Sequence, residues 1–326
     1  MPSVVAIVLN WRDAPSMIAC VSSLFALDED VGIVVVDNDS GDGSLERIQR
    51  YCMEQAPASG YRVVGPDEIA GQPSYARWVC ALSSGWNGGY GFGNNVGIHS
   101  AMTARDCRYV WILNADVLVP EASVLTGLVA HMDADPGIGI CGVTVCYADD
   151  PDCVQTLGGG NIDRRGRTSQ FGQGQRLGAP IDAKAIEQQL DYINGACSFV
   201  RREFIEQVGP MSEDYFLYFE ELDWSARGRG TFRLGYCPEA IVLHHVGKSI
   251  GTQDSGSRSA LSTYYMNASR IRYCTLHLRG ALPWVLVDVA CEIARSIRRR
   301  QWRTAAAMAC AFLRIKPSLP RRLGIF

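Results

Sequence analysis

The first part of the chain alternates apolar runs with helical patterns, and this alternation constrains the fold more than any other feature. Residues 4–9, VVAIVL, are continuously apolar and partly β-branched, as is typical of a strand that is buried on both faces. Residues 32–36, 61–64 and 109–113 repeat this pattern. Residues 14–27, between the first two runs, place apolar side chains at helical spacing. This order predicts an α/β domain with a mainly parallel sheet flanked by helices.

Polar residues follow three of the predicted strands, at the points where the strands end. They are Asn10, residues 37–42 and residues 114–116. Ligands bind at the carboxyl ends of the strands in parallel sheets, so these residues predict a binding site at one edge of the sheet. Asp37 at such a place can accept a hydrogen bond from a nucleotide. It can equally close a turn before the helix that Ser44 is expected to cap.

The pattern changes after residue 140. Residues 149–178 are rich in glycine and charge, and we expect loops with short strands there. Residues 192–201 and 233–244 have the composition of strands, and residues 203–229 between them are predicted to be mostly helical. Residues 258–326 show helical patterns. The chain is therefore expected to contain an α+β half that completes the site, followed by a helical extension.

Charge is distributed unevenly along the chain. The formal net charge is −3, which provides no strong attraction to nucleic acid. The last 46 residues nevertheless contain nine basic residues and only two acidic ones, Asp288 and Glu292. The basic residues are Arg295, Arg298, Arg299, Arg300, Arg303, Arg314, Lys316, Arg321 and Arg322. With an apolar stripe that starts at Trp284, this composition fits helices in a membrane interface, or a docking surface for the catalytic domain or a second copy of the chain.

Cysteine usage and the N-terminus both indicate a cytoplasmic protein. The twelve cysteines are scattered, and none forms a Cys-x-x-Cys pair, so we expect buried free thiols. The chain runs from Met-Pro-Ser directly into a strand, without the basic segment of a secretory signal. No apolar run reaches the roughly 20 residues of a membrane span.

A glycine-rich segment covers residues 87–97 and includes Asn87, Gly91 and Asn94. Glycines let a backbone approach a ligand closely, and the start of a following helix attracts anions. The segment lacks the Gly-Lys-Ser/Thr of a Walker loop, and its glycines depart by one residue from the dinucleotide fingerprint. By itself, it is a weak indication of a phosphate loop.

Acidic residues suited to catalysis occur in two segments. Asp116 provides oxygen ligands for a divalent cation, or it caps the helix predicted for residues 120–129. Glu220, Glu221 and Asp223 lie within four residues, among aromatic side chains. Such crowding raises the pKa of a carboxyl, as a general base requires. The alternative is an acidic first turn of a helix, which the helix dipole favours.

His244 and His245 follow the last predicted strand. A neutral imidazole can complete a metal site, and Lys248 nearby can meet a phosphate. A histidine at the end of a strand is, however, more often structural than a ligand.

Seven segments, in this order, resemble glycosyltransferase family 2, and within it the bacterial rhamnosyltransferase-like branch. The segments are residues 7–11, 36–40, 87–97, 113–116, 194–196, 219–223 and 244–249. The resemblance covers about residues 3–275 and implies the GT-A fold. It implies a catalytic domain over 1–257 and a helical, basic extension over 258–326. Within that domain, 1–140 would bind the nucleotide sugar and 141–257 would supply the acceptor site and the catalytic residues.

The resemblance implies roles for the donor side of the site. The implied donor-binding residues are Leu9, Asn10, Asp37, Asn87, Gly91, Asn94, Asn114 and Lys248. Asp37 would contact the base, and residues 87–95 would cover the nucleoside and the sugar. Asn114-Ala115-Asp116 stands where the family has its D-x-D metal motif, with an asparagine in place of the first aspartate. Asp116 and His244 are thus implied as ligands of a divalent cation, Mn²⁺ or Mg²⁺.

The resemblance also implies the catalytic base and the acceptor side. The base of the family is the second residue of an acidic pair, which is Glu221 here, with Glu220 and Asp223 as substitutes. The expected acceptor-binding residues are Asn194, Gly195, Ala196, Tyr218 and Trp224. Tyr218 and Trp224 are expected to stack on an acceptor sugar.

The implied activity is an inverting transfer of a sugar from a nucleoside-diphosphate donor to a hydroxyl of a glycan or lipid-linked saccharide, in the synthesis of cell-surface polysaccharide. The donor suggested by the resemblance is dTDP-rhamnose. One alternative is a sugar-nucleotidyltransferase, which needs a glycine-rich basic loop where this chain has residues 10–13, NWRD. The other is an inactive nucleotide-sugar-binding protein, suggested by Asn114 and Glu221. Contact with the inner face of the plasma membrane and homodimerisation both remain open for the C-terminal helices.

Overall fold

The computed structural model describes residues 2–71, 75–245 and 259–316. Its strands are β1 Val4–Asn10, β2 Val31–Asp37, β3 Arg62–Val63, β4 Trp78–Ser83, β5 Tyr109–Asn114, β6 Val117–Leu118, β7 Ile138–Tyr147, β8 Asp150–Leu157, β9 Gly159–Ile162, β10 Thr168–Gln170, β11 Tyr192–Ile193, β12 Cys197–Arg201 and β13 Arg233–His244. Its helices are α1 Ala14–Phe25, α2 Ser44–Gln55, α3 Pro66–Ala70, α4 Tyr90–Thr103, α5 Val124–Ala134, α6 Ala183–Gln189, α7 Arg202–Val208, α8 Glu220–Gly228, α9 Ala260–His277, α10 Leu282–Arg298 and α11 Trp302–Phe312.

A mixed sheet forms the centre of the molecule. Its strand order is β3-β4-β2-β1-β5-β12-β7-β13-β6, and β8 pairs with β7. Strands β3, β4, β2, β1 and β5 run parallel to one another, and so do β7 and β13. Strands β12 and β6 run antiparallel to their neighbours. The predicted α/β fold with a mainly parallel sheet is confirmed. A second, small sheet has the order β10-β9-β11.

Strand β1 shows why the first apolar run is continuous. Val4 and Val8 pack into a cluster with side chains of α1 and α5, whereas Val5 and Ile7 pack on the opposite face with side chains of α4. Successive side chains of a strand point to opposite faces, so a strand covered by helices on both sides has no polar positions. Each such side chain contributes about 1.5–3 kcal/mol when fully buried.

The second half departs from the expected elements at two places. Residues 203–229, predicted to be mostly helical, contain the end of α7 and all of α8, with residues 209–219 between the two helices outside any helix. Helix α7 ends at Val208 because Gly209 has φ 86° and Pro210 lacks the N–H that a continuing helix needs. The strand predicted for residues 192–201 is interrupted at 194–196, which places β11 in the small sheet and β12 in the large one. Both interruptions leave irregular backbone at the carboxyl edge of the sheet.

Two smaller predictions about the first half were also wrong or incomplete. Strand β4 was not expected, although it pairs with β2 along its whole length. It fits there because a Cβ on Gly32 would lie only 2.3 Å from Cζ2 of Trp78, so the indole needs a glycine beside it. Ser44 is the first residue of α2 rather than its cap, and Gly43 occupies the cap position with φ 80°.

The predicted C-terminal helices are present and contact the rest of the molecule through an apolar cluster. Phe219 and Leu222, from the start of α8, share this cluster with Ile271 and Tyr273 of α9 and Val289 of α10. The C-terminal helices therefore support the turn that precedes α8.

The cysteines are free thiols, as expected, and most are buried. Burial raises the pKa of thiols such as Cys52, to about 11, which keeps them protonated and unreactive. None of the helices within the described ranges combines the length and the apolar composition that crossing a bilayer requires.

Candidate active site

The carboxyl ends of the central parallel strands are level with one another. Asn10 of β1 lies beside Asp37 of β2, and Asp37 lies beside Ser83 of β4. On the other side of β1, Leu9 lies beside Asn114 of β5. The polar residues predicted to meet at this edge are therefore neighbours across the sheet.

Asp37 is held in a buried hydrogen-bonded cluster and is 4% exposed. Its Oδ1 accepts hydrogen bonds from Asn10 Nδ2 at 2.7 Å and from Ser40 Oγ at 2.6 Å, and its Oδ2 accepts from the backbone N–H of Ser40 at 3.0 Å. Asp37 thus closes the turn after β2, as one interpretation of the sequence expected. Asn10 Oδ1 is buried without a partner among the described residues, so this pocket keeps one free acceptor.

Asn38 links this turn to the glycine-rich segment, a role that the sequence did not suggest. Its side-chain amide donates to Asn87 Oδ1 at 3.3 Å and to the carbonyl oxygen of Gly89 at 3.1 Å. Ser84 Oγ donates to Asn38 Oδ1 at 3.2 Å. A lone asparagine in a turn carries no local signal of these distant contacts. They hold the segment predicted to cover the donor against the end of β2.

Most of the glycine-rich segment is the beginning of helix α4. The helix starts at Tyr90, so Gly91 and Asn94 lie in its first turns. A Cβ on Gly93 or Gly97 would lie 2.4 Å from the side chain of Leu9 or Ile7, so these glycines allow α4 to pack closely on β1. Asn94 is fully buried, and its amide donates to the carbonyl oxygen of Tyr90 at 3.1 Å.

Asp116 and His244 lie together, as the family resemblance implied. Strand β6 pairs with the end of β13, and this pairing places His244 Nε2 3.2 Å from Asp116 Oδ1. His244 Nδ1 lies 2.9 Å from Oε1 of Gln155, an oxygen that can accept a hydrogen bond from Nδ1–H, and this contact orients the ring with Nε2 towards Asp116. Asp116 does not cap a helix, since α5 starts only at Val124.

The donor set at this place suits a divalent cation. Asp116 supplies a carboxylate, His244 supplies an imidazole, and Asn114 Oδ1 is buried without a partner among the described residues. Residues 2–71, 75–245 and 259–316 contain no group of three His, Cys, Asp or Glu side chains placed to hold a metal. A cation bound here would take its remaining ligands from water and from phosphates of the substrate.

Glu220 and Glu221 begin helix α8, and each has a buried oxygen, Oε2, without a hydrogen-bond partner among the described residues. Burial raises the pKa of Glu221 to about 7. Burial, with the charge of Glu221 beside it, raises the pKa of Glu220 well above its usual value. Near neutral pH, this pair can therefore keep one proton and accept another, which is what general acid–base chemistry needs.

The loop of residues 194–196 joins the separate parts of the site. The backbone N–H of Asn114 donates to the carbonyl oxygen of Ala196 at 3.0 Å, and the hydroxyl of Tyr90 donates to that of Gly195 at 2.6 Å. A Cβ on Gly195 would lie 3.8 Å from the carboxyl carbon of Glu221. Burial and the nearby carboxylates raise the pKa of Tyr90, so its hydroxyl remains a donor. Neither the role of Tyr90 nor this junction was predicted.

The turn before α8 has a strained backbone. Tyr218 and Phe219 have φ values of 67° and 68°, which side chains with a Cβ rarely adopt. Contacts from α9 hold this turn, since the hydroxyls of Tyr218 and Ser262 lie 2.7 Å apart and Ser269 Oγ donates to the carbonyl oxygen of Leu217 at 2.9 Å. These contacts hold the turn that leads into Glu220 and Glu221 at the start of α8.

Two of the predicted site residues have a different environment from the one expected. Trp224 is 1% exposed and packs against Phe204, so the expected stacking on an acceptor sugar is wrong, because no face of its ring is accessible. Asp223 is buried, with its carboxylate engaged by other side chains, and is the least available of the three acidic residues to take a proton. Lys248 lies outside the described residues.

The arrangement of strands and helices is similar to that of solved sugar transferases. The mannosyltransferase PcManGT from Pyrobaculum calidifontis, in complex with GDP-Man and Mn²⁺, matches 96% of this chain and 86% of its own, with a TM-score of 0.54 and 18% identity. GalNAc-T7, with UDP, GalNAc and Mn²⁺, matches 84% of this chain and 48% of its own, with a TM-score of 0.54 and 14% identity.

The chain has the GT-A fold. No protein-family model matches it. A curated relative is the N-acetylglucosaminyl-diphospho-decaprenol L-rhamnosyltransferase of Mycobacterium tuberculosis, which is 37% identical over 87 residues, or 26% of this chain and 28% of the relative. Another is the low-salt glycan biosynthesis hexosyltransferase Agl10 of Haloferax volcanii, which is 24% identical over 174 residues, or 50% and 51% of the two chains. The chain thus spans 28% and 51% of the lengths of these two curated relatives.

Proposed function

We propose that this chain is an inverting glycosyltransferase of family 2 that moves a sugar from a nucleoside diphosphate to an acceptor hydroxyl. The observation that carries the proposal is the position of Glu221. Its carboxyl, with a pKa raised to about 7, lies against Gly195, in a loop hydrogen-bonded to Asn114 at the edge that also carries Asp116. A candidate base thus shares one edge of a GT-A sheet with a candidate cation site.

The donor nucleotide would lie over the ends of β1, β2 and β4. Asn10 Oδ1 is a buried acceptor without a partner among the described residues, and a thymine or uracil ring offers an imide N–H to such an acceptor. Asp37 would then orient Asn10 through their 2.7 Å hydrogen bond. Asn87, Gly91 and Asn94 would lie over the nucleoside and the sugar.

Asp116 and His244 would hold a divalent cation, Mn²⁺ or Mg²⁺, with Asn114 as a weaker contact. When bound, such a cation neutralises charge that develops on a departing diphosphate. Gln155 would keep His244 in the tautomer that presents an unprotonated Nε2.

Glu221 would take the proton of the acceptor hydroxyl as its oxygen attacks the anomeric carbon. The bond from that carbon to the diphosphate breaks on the opposite face, so the configuration inverts in one displacement and no glycosyl–enzyme intermediate forms. Glu220, whose pKa is also raised by burial, would limit the negative charge beside the base while it retains its proton. The loop of residues 194–196 would position the acceptor.

Rhamnose from dTDP-rhamnose is the donor that we propose, with a lipid-linked saccharide as the acceptor. The support is the 37% identity, over 87 residues, to a rhamnosyltransferase whose name specifies a diphospho-decaprenol acceptor. The free thiols fit a reducing compartment, and we place the enzyme in the cytoplasm, at the inner face of the membrane.

The direct test is the release of nucleoside diphosphate. The purified chain would be incubated with Mn²⁺ or Mg²⁺ and a panel of sugar nucleotides, with and without a lipid-linked saccharide. We expect release from a thymidine-diphosphate sugar that increases with the acceptor, and a product of inverted anomeric configuration by NMR. Release of pyrophosphate from a sugar phosphate and a nucleoside triphosphate would instead show a nucleotidyltransferase. Donor binding without turnover across the panel would show an inactive binding protein.

A further inference from the structure

The outward face of helix α10 is apolar along most of its length. The exposed apolar residues of α10 are Pro283, Trp284, Val287, Ala290, Cys291, Ala294 and Ile297. They recur every three or four residues and therefore share one face of the helix. Trp284, Val287 and Ile297 expose 53%, 56% and 44% of their surface. The opposite face of α10 is buried through Val285 and Val289.

Arginines flank this outward face at both ends. At its C-terminal end, the exposed arginines are Arg295, Arg298, Arg299, Arg300 and Arg303. At its N-terminal end, the hairpin between β9 and β10 contributes Arg164 and Arg165, which are also exposed. The guanidinium of Arg165 lies 5.2 Å from the centre of the Trp284 ring, so the hairpin and the helix form one continuous surface.

The acidic residues nearby are engaged with arginines or with backbone. Asp288 pairs with Arg270 at 3.2 Å and with Arg167 at 3.5 Å. Asp163 accepts hydrogen bonds from backbone N–H groups of the hairpin and pairs with Arg167 at 4.0 Å. Glu292 is only partly exposed and lies to the side of the apolar face. The charge that this surface offers to a partner is therefore positive.

We propose that the outward face of α10, with the arginines that flank it, docks on the surface of an anionic lipid membrane. Tryptophan and aliphatic side chains enter the boundary between head groups and acyl chains, while arginines attract acidic head groups. A second copy of the chain fits less well. In a two-fold dimer through this face, arginines at the ends of one copy would meet arginines of the other.

Docking through this face would also bring the enzyme close to a lipid-linked acceptor, and this role of docking rests on the proposed function. The hairpin that contacts Trp284 continues through β9, which pairs with β11, and β11 leads directly into Asn194 of the acceptor loop. A membrane under α10 would therefore lie beside elements connected to the acceptor side of the site. Binding to the membrane does not depend on catalytic activity.

The experiment measures flotation of the full chain with vesicles of phosphatidylcholine, alone or mixed with phosphatidylglycerol. We expect binding to the mixed vesicles that weakens as salt increases. Trp284→Ser with Val287→Ser should reduce this binding at least ~10-fold. Arg298→Gln, Arg299→Gln and Arg300→Gln together should reduce it by about 5-fold for each charge removed. Met53→Ser is the matched control, because Met53 is 60% exposed on α2, outside this face.

Two outcomes would overturn the proposal. One is equal binding of the wild type and the Trp284→Ser, Val287→Ser variant to the mixed vesicles, with circular dichroism showing that both are folded. The other is a dimer, measured by light scattering without lipid, that this double variant dissociates. Release of nucleoside diphosphate without lipid is measured on the same variants, so a failure of docking is separated from a failure of the proposed transferase activity.

Discussion

His277 Nε2 lies 2.7 Å from Asp223 Oδ1, and this contact joins the last residue of α9 to helix α8. Asp223 is 3% exposed, and its Oδ2 accepts a hydrogen bond from Arg227 Nε at 2.8 Å. Glu221 lies two residues before Asp223 on the same helix. A residue of the C-terminal region therefore helps to hold the helix that carries the candidate base.

Replacing His277 by alanine should weaken this support. We expect His277→Ala to lower the free energy of unfolding by roughly 1–3 kcal/mol, because a buried carboxylate loses a hydrogen-bond partner. It should also lower kcat, with little change in the KM for the donor, since α8 carries Glu221. Urea denaturation and steady-state kinetics measure the two effects. His99→Ala, on the exposed side of α4, is the control. Equal behaviour of the two variants would show that the contact has no such role.

Glu221→Gln should separate chemistry from binding. The amide keeps the size of the side chain but cannot accept the proton, so transfer should fall by roughly 10²-fold or more. Donor affinity, measured by calorimetry, should change little, because Glu221 lies beside the acceptor loop. In the wild type, kcat should rise with pH through about 7 as Glu221 ionises. Glu220→Gln is the comparison variant. A larger loss of transfer activity in Glu220→Gln than in Glu221→Gln would identify Glu220 as the base.

The buried pair should also make stability depend on pH. Burial raises the pKa of Glu220 in the folded state. At pH values between the ordinary pKa of a glutamate and this raised pKa, the folded protein therefore binds more protons than the unfolded protein. Stability therefore falls as the pH rises through this window. Glu220→Gln lacks this ionisation, and its Tm should exceed that of the wild type at pH 8 by more than at pH 4.5. Equal differences in Tm at both pH values would contradict the burial of the Glu220 carboxyl.

Asp116→Ala should abolish metal-dependent binding of the donor. Asp116 is the one carboxylate that contacts His244 in the described structure, so its loss removes the charged ligand of the proposed cation site. Titration of Mn²⁺ by electron paramagnetic resonance measures the metal directly, and calorimetry measures the sugar nucleotide with and without Mn²⁺. The control is Asp149→Ala, because Asp149 is exposed and contacts His245 rather than His244. Unchanged Mn²⁺ affinity in Asp116→Ala would remove this residue from the site.

Gln155→Leu tests the partner of His244. Oε1 of Gln155 lies 2.9 Å from His244 Nδ1, and without this oxygen the imidazole ring of His244 is free to take the other tautomer or to rotate. We expect Mn²⁺ affinity to fall by about 10-fold or more, as for other residues that orient metal-binding histidines. Gln155→Glu, which keeps an acceptor, should retain most of the affinity. Equal affinities of both variants and the wild type would show that Gln155 does not orient the ring.

The order of elements could be predicted from local pattern because it depends on burial within each element. The continuous apolar runs at β1, β2 and β5 indicate strands covered on both faces, and polar residues after them indicate the edge where ligands bind. The pair Asp116 and His244 was implied only by the resemblance to glycosyltransferase family 2, and the structure brings the two side chains together.

The tertiary structure alone decided which side chains are available and which are engaged. Asp223 and Trp224 follow Glu220 at helical spacing, yet Trp224 enters the core and Asp223 binds His277, which is 54 residues away. Gln155 reaches His244 across 89 residues. Contacts between residues so far apart in the sequence depend on how the helices and strands pack, and no periodic pattern in the sequence indicates them. The sequence by itself determined the buried strands β1, β2 and β5 and the polar edge at their carboxyl ends, because burial on both faces leaves a local pattern. Only the tertiary structure determined how His277 supports α8 and how Gln155 orients His244.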